Sequence, residues 1–242
     1  MSAHAGLTGP PSATPRRPST AKENDLVQTR RDILRSLTIA GLGLASLPAL
    51  AQGPAAPATG EGDPAVATVR RMTDALEAAL KAGDVRARAE ILSGPMQQNF
   101  DLPAMLRLGI GTRWKDIPAE KQQALIAAFG PYLTATYATR LSAAAGSKFA
   151  IDPKSEARGA GRIVHVTVTD GSGDTSPVDY VLNADNRITD VYLQGTVSEA
   201  GTLRTGFSEP LQEGGADALL AHLKKSTETM LAAPAPKVPA KP

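Results

Sequence analysis

The hydrophobic pattern beyond residue 63 begins with spacings of three and four, which indicate amphipathic helices. The first predicted helix starts at Asp63-Pro64, a capping residue followed by a proline suited to a first turn, and it ends at Gly83. Shorter helices are predicted at 85–92 and 100–108. The apolar face of the first helix consists of Val66, Val69, Met72, Leu76 and Leu80.

The longest predicted helix runs from Pro118 to about Ala144. Pro131 lies inside it, and because proline lacks the N–H group that a helix needs, we expect a kink between Ala127 and Pro131. One side of this helix carries Leu125, Phe129, Tyr132, Leu133, Thr136, Tyr137 and Leu141.

The period then changes to two, which is typical of β-strands. Short Gly, Asp and Asn turns join the strands, so an antiparallel meander of four strands is predicted. We expect Asp190 to share a face with Ile188 and Tyr192, near a sheet margin or a polar partner. The strands are predicted at 149–151, 162–169, 177–183 and 187–194.

Alternation along the middle strands makes one side of this sheet apolar. Val164, Val166 and Val168 share one face, opposite His165, Thr167 and Thr169, and Val178, Tyr180 and Leu182 do the same on the next strand. Two helices, at 201–212 and 215–230, complete the pattern. The predicted fold class is therefore α+β, with N-terminal helices, the sheet and C-terminal helices.

The chain before residue 63 has the layout of an export signal. Arg30 and Arg31 precede a run without charges that ends in the small-x-small triplet from Ala49 to Ala51, and Thr29-Arg30-Arg31 resembles a twin-arginine motif. The run is too short for a membrane helix, so we expect cleavage and a periplasmic location. The predicted division is a disordered leader with signal at 1–51, a flexible linker at 52–63, one domain at 64–231 and a disordered Pro/Ala tail at 232–242.

Charge and composition exclude several functions. Residues 52–242 carry 20 Lys and Arg against 21 Asp and Glu, a net charge of −1, so nucleic-acid binding is not expected. The chain has no cysteine, and His165 and His222 are the histidines that remain after cleavage, so we expect no metal site and no cofactor. Phosphate-loop, dinucleotide and zinc-protease motifs are missing from the sequence.

A catalytic alternative rests on few residues. His165 beside Asp170 or Asp179 is a candidate general base, and Asp179 with Asp190 is a candidate carboxylate pair. A surface-facing histidine and ion-paired aspartates are the simpler interpretation, so the sequence favours binding over catalysis.

Two blocks resemble the MlaC and toluene-tolerance auxiliary family of periplasmic lipid-binding proteins. The first is FDLPAMLRLG at 100–109, followed by Trp114 and by PAEKQQALIAAFGPYLTATYATRL at 118–141. The second is DVYLQGTVSEAGTLRTGFSEPLQEGGADALLAHL at 190–223. Within it, GTVSEAGTLRTGF is most similar to HpnM, the branch named for hopanoid biosynthesis genes. The resemblance covers roughly 64–230.

The resemblance implies a soluble carrier that takes acyl chains into an apolar pocket between helices and sheet. It also implies three kinds of contact: an inner-membrane ABC lipid transporter, an outer-membrane lipoprotein component and a transient encounter with membranes. The resemblance leaves the cargo open between phospholipid and hopanoid. Two alternative functions also stay open: a small NTF2-like enzyme and a periplasmic adaptor that holds no lipid. The expected lipid-contacting residues are Phe100, Leu106, Leu125, Phe129, Leu133 and Tyr137 on helices and Val166, Val168, Tyr180 and Leu182 on strands.

Overall fold

A computed structural model describes residues 62–233. The predicted export signal, with Arg30, Arg31, Ala49 and Ala51, lies outside these residues and stays a prediction. The same holds for most of the predicted linker and for nearly all of the C-terminal tail. Within 62–233, no helix combines the length and the apolar character that crossing a bilayer requires.

In residues 62–233, five α-helices and a six-stranded sheet form the fold, which confirms the α+β class. Two short 3-10 helices are also present among these residues, Gly111–Asp116 and Leu141–Ala143. The helices are α1 Pro64–Leu80, α2 Val85–Asn99, α3 Leu102–Ile110, α4 Ala119–Arg140 and α5 Glu199–Ala232. The strands are β1 Lys148–Ile151, β2 Glu156–Arg158, β3 Gly161–Thr169, β4 Thr175–Leu182, β5 Ile188–Leu193 and β6 Val197–Ser198.

Aspartate caps start the first three helices. Asp63, Asp84 and Asp101 each accept a hydrogen bond from a backbone N–H in the first turn of α1, α2 and α3. The helix α2 is longer than predicted, because it continues through Pro95 to Asn99. Phe100 was expected on the next helix, but it lies between α2 and α3 in extended backbone and forms an isolated bridge with Ile188.

The long helix α4 follows the sequence pattern closely. It continues through Pro131 without a break in its helical residues, where we expected a kink. The helix ends at Arg140, and a single 3-10 turn extends it to Ala143. The expected helical stretch to Ala144 is therefore present, with a tighter last turn.

The helix α5 combines the two helices expected at the C-terminus. Gly214 and Gly215 have non-helical backbone angles inside it, and Gly215 has a φ of +61°, which favours glycine. The halves at 199–213 and 216–232 both pack against α4: Phe207 of the first half contacts Phe129, and the Thr136 hydroxyl approaches Met230 of the second. The break expected between residues 212 and 215 is thus confirmed.

The sheet has six strands rather than the four expected, because two short strands were missed. The meander runs β3-β4-β5-β6, while β1 and β2 pair with successive parts of the same edge of β3. The missed strand β2 has three exposed residues, and β6 has only two residues. Strands this short carry no alternation for a sequence pattern to reveal.

A bulge in β5 corrects the expected position of Asp190. Val181 pairs with Asp190 and Leu182 pairs with Ile188, so one extra residue, Thr189, separates the two pairs. Ile188 and Val191 therefore both face the helices, and Asp190 points to the opposite side. There it accepts hydrogen bonds from the Ser198 hydroxyl and the Ala200 N–H. The expected polar partner is present, but Ile188 does not share its face.

Candidate functional site

A cavity of about 280 Å³ lies between α1, the C-terminal end of α4 and the apolar face of the sheet. Most of its wall is hydrocarbon. Two tyrosines, from α4 and β4, and a few polar side chains complete the wall. The lining residues are Leu76, Tyr137, Arg140, Leu141, Ala144, Ser147, Phe149, Val168, Ser176, Val178, Tyr180, Val191, Leu193 and Gln194.

Valines of the sheet line this space at three positions. Val168, Val178 and Val191 come from three adjacent strands, and the bulge in β5 is what turns Val191 toward the helices. Valine is short and stiff, so it does not reach the helix layer as Phe or Leu side chains do elsewhere in the core. Short side chains on three adjacent strands thus form part of the wall, and the bulge in β5 brings one of them into it.

Polar groups gather where α4 meets the start of α5. Arg140 donates to the Glu199 carboxylate across 2.6 Å, and its guanidinium lies 5.8 Å from the centre of the Tyr137 ring. The Glu199 side chain is only 1% exposed. Burial raises the pKa of both Tyr137 and Tyr180, and the Glu199 charge raises that of Tyr137 further. Both tyrosines are therefore neutral phenols, which suits a pocket for hydrocarbon.

Unpaired polar atoms lie at this same junction. The Tyr137 hydroxyl and Glu199 Oε1 are buried and have no hydrogen-bond partner in the described part of the chain. Most buried polar atoms are paired. The junction of α4 and α5 beside the cavity therefore holds two buried polar atoms whose hydrogen-bonding capacity the described residues leave unused.

Three of the ten residues expected to contact lipid line this cavity. Tyr137, Val168 and Tyr180 do so. The other seven are fully or almost fully buried in the core without lining it: Phe100, Leu106, Leu125, Phe129, Leu133, Val166 and Leu182. The structure brings both sets into one continuous core, and their contact with lipid stays a prediction.

Several lining residues had no distinguishing signal in the sequence. Phe149 and Leu193 lie in strands that were predicted, but no pocket role followed from their alternation. Val191 was hidden by the bulge, and Leu76 belongs to an ordinary amphipathic face. Periodicity shows which side chains point inward, but not which of them border empty space.

The catalytic alternative lies on the other face of the sheet. His165 Nδ1 is 2.7 Å from Asp179 Oδ1, and the imidazole is 36% exposed. The hydrogen bond to Asp179 raises the pKa of His165. Neither residue lines the cavity, and Asp190 is occupied with the start of α5 instead of pairing with Asp179. No group of three potential metal-ligating residues occurs among residues 62–233.

Comparison with known proteins identifies the fold and the family. The family model described as "MlaC protein" matches residues 67–225. The chain belongs to the MlaC family. A solved structure of a phospholipid-binding protein from Ralstonia solanacearum, in complex with a phospholipid, is similar at 21% sequence identity. The match has a TM-score of 0.57 and covers 69% of this chain and 98% of that protein.

No curated protein matches the chain significantly. The similar structure supports the MlaC-like fold. The region that the family model matches extends from α1 to α5. The two sequence blocks that carried the resemblance fall inside residues 67–225, so the family assignment made from them is confirmed.

Proposed function

We propose that this protein is a periplasmic lipid carrier that encloses lipid hydrocarbon in the cavity between helices and sheet. The observation that carries the proposal is the apolar cavity on the inner face of an MlaC-type sheet. The Ralstonia protein of similar fold is a phospholipid-binding protein, which favours binding over catalysis. The twin-arginine-type segment supports export to the periplasm.

The energetics of transfer explain why such a cavity is useful. Each methylene kept away from water contributes about 0.8 kcal/mol, so an exposed acyl chain is costly in the aqueous space between membranes. Because a cavity of about 150 Å³ holds benzene, one of 280 Å³ holds on the order of ten carbons. The volume thus fits part of one chain, and a complete diacyl lipid requires the cavity to expand.

The wall at Phe149 is the place where expansion of the cavity requires the smallest rearrangement. Phe149 and Ser147 line both the cavity and an outer hollow of about 570 Å³ beside Leu80 and Lys81. Rotation of the half-buried Phe149 ring would join the two spaces. Movement of one side chain costs less than separation of the helix and sheet layers, whose contacts are continuous.

We also propose the HpnM branch and its transport setting. The GTVSEAGTLRTGF segment supports HpnM, and a carrier of this kind would receive lipid from one membrane component and deliver it to another. An inner-membrane ABC transporter and an outer-membrane lipoprotein are the partners proposed. The cargo is either phospholipid or hopanoid, because both present mainly hydrocarbon to an apolar wall.

Mass spectrometry of the purified protein tests lipid binding. We expect a lipid to copurify, and its identity decides between phospholipid and hopanoid. A matched pair of variants localises the site: Val168→Trp fills the cavity, whereas Thr167→Trp places the same ring on the opposite, exposed face of β3. We expect Val168→Trp to lose most bound lipid and Thr167→Trp to keep it.

Two results would contradict the proposal. One is a folded protein that repeatedly lacks lipid and accepts none from vesicles, which would favour the periplasmic adaptor. The other is equal lipid content in the two tryptophan variants, which would place the lipid outside this cavity. Far-ultraviolet circular dichroism of each variant checks that folding is retained.

A further inference from the structure

We propose that a groove lined by three arginines docks this protein on anionic membrane surfaces. The groove has a volume of about 560 Å³ and lies between the end of α3 and the first half of α5. Arg107 and Arg113 line it from α3 and the following turn, and Arg204 lines it from α5. No residue of the groove also lines the lipid cavity, so the two sites are separate.

Close packing of the two helices forms the groove. A Cβ atom on Gly109 would lie 3.2 Å from the Leu203 Cβ, so a glycine here allows α3 and α5 to approach. Arg204 donates to the Leu108 carbonyl oxygen across 2.8 Å, which fixes its guanidinium over the end of α3. The Arg107 guanidinium lies 5.9 Å from the centre of the Trp114 ring. Both arginines are thus positioned by neutral groups.

The charge of the groove contrasts with the rest of the domain. Residues 62–233 carry 18 Lys and Arg against 20 Asp and Glu, a net charge of −2. The groove is lined by no carboxylate, and none of its three arginines forms an ion pair within the described residues. A concentration of unneutralised positive charge on a domain that is negative overall indicates an anionic partner.

An exposed leucine in the same groove favours a lipid surface as that partner. Leu108 is 43% exposed and lies beside the arginines. Lipid phosphates match the arginines, and the boundary below the head groups accommodates the leucine. An acidic polypeptide would match only the arginines. Thr112 and Ser208, which also line the groove, are exposed, as contact with a broad surface requires.

Vesicle flotation of the mature chain tests the inference. We expect binding to vesicles that contain phosphatidylglycerol, weaker binding at high salt, and little binding to phosphatidylcholine alone. Because one basic residue near an anionic surface contributes about fivefold in partitioning, Arg113→Glu should weaken binding at least about fivefold. Leu108→Asn should weaken it by a smaller factor.

Matched controls come from α2. Arg86→Glu reverses an exposed arginine, and Ile91→Asn changes a leucine-sized side chain that is 38% exposed, so both should bind vesicles like the unmodified chain. Equal losses of vesicle binding for Arg86→Glu and Arg113→Glu would overturn the inference. Vesicle binding that Leu108→Asn leaves unchanged and that added polyglutamate abolishes would also overturn it. Bound lipid is quantified separately, so normal lipid content without vesicle binding overturns this docking surface and not the carrier function.

Discussion

The middle of α4 and its C-terminal end pack against their surroundings in different ways. Toward the middle, Phe129 and Tyr132 pack with Phe207 of α5, with ring centres 6.0 to 6.4 Å apart. At the C-terminal end, Tyr137 borders a cavity of about 280 Å³. One continuous helix thus contributes both to a filled core and to a hollow one.

The difference lies in what faces the helix. Aromatic rings of α4 and α5 interdigitate at the filled middle of α4, where helix packs on helix. At the hollow end the helix faces the sheet, where Val168, Val178 and Val191 line the cavity together with larger side chains of the same strands. A pocket is therefore obtained by exchanging the facing element, without any polar or catalytic motif.

The largest expected effect is at the filled middle of α4. Phe129 is fully buried, so Phe129→Ala should lower the free energy of unfolding by about 3–5 kcal/mol, through lost burial and the void left behind. Urea denaturation measures this. A loss below about 1 kcal/mol would show that the middle of α4 is as loosely packed as its C-terminal end.

A second prediction concerns the ion pair that joins α4 to α5 beside the cavity. Arg140→Met leaves the Glu199 carboxylate buried without its partner. Removal of one partner of a fully buried pair costs about 3–5 kcal/mol, but Arg140 is 41% exposed, so we expect roughly 2 kcal/mol.

The double variant Arg140→Met with Glu199→Met is the control for this effect. It removes the stranded charge and should recover most of the lost stability. Equal losses in the single and double variants would mean that packing of the arginine stem, and not its charge, supports the hollow end.

The third expected effect is smaller and concerns the cavity wall. Val178 already lacks neighbours on its cavity side, so Val178→Ala should cost less than about 1 kcal/mol. The variant should retain lipid, because its cavity is larger. The fully buried Val164, two strand positions from Val166 on the same face, is the comparison, and Val164→Ala should cost about 2 kcal/mol. Similar costs would remove the distinction between wall and core.

These cases show what the sequence predicts and what it does not. Alternation correctly assigned Val164, Val166, Tyr180 and Leu182 to the inner face of the sheet, because burial on one face imposes a period of two. The bulge at Thr189 shifted that period by one residue, so the expectation that Asp190 shares a face with Ile188 was wrong.

The cavity itself was predicted in kind but not in detail. A position between helices and sheet was expected, yet the helical pattern does not distinguish Phe129 and Leu133 from Tyr137. All three point inward, and only the three-dimensional separation of the layers decides which of them meets empty space. Void volume depends on contacts between elements distant in sequence, which periodicity within one element does not contain.

The smallest expected effect tests whether the outer face of the sheet is independent of the middle and of the C-terminal end of α4. The hydrogen bond that His165 donates to the Asp179 carboxylate raises the pKa of His165 above its ordinary value of 6.5. The protonated histidine is favoured in the folded state, so its contribution is complete below pH 6.5. That contribution is lost as the pH rises through the higher folded value.

We expect the loss to be less than about 1 kcal/mol, because the imidazole is 36% exposed and solvent screens the pair. Unfolding free energies measured between pH 5.5 and 8.5 should show the loss in the unmodified chain and a smaller loss in Asp179→Asn, where Glu156 still raises the pKa of His165. Lipid content should stay constant over the same range, since neither His165 nor Asp179 lines the cavity. A change in lipid content that Asp179→Asn removes would instead show that the two faces of the sheet are coupled through β3 and β4.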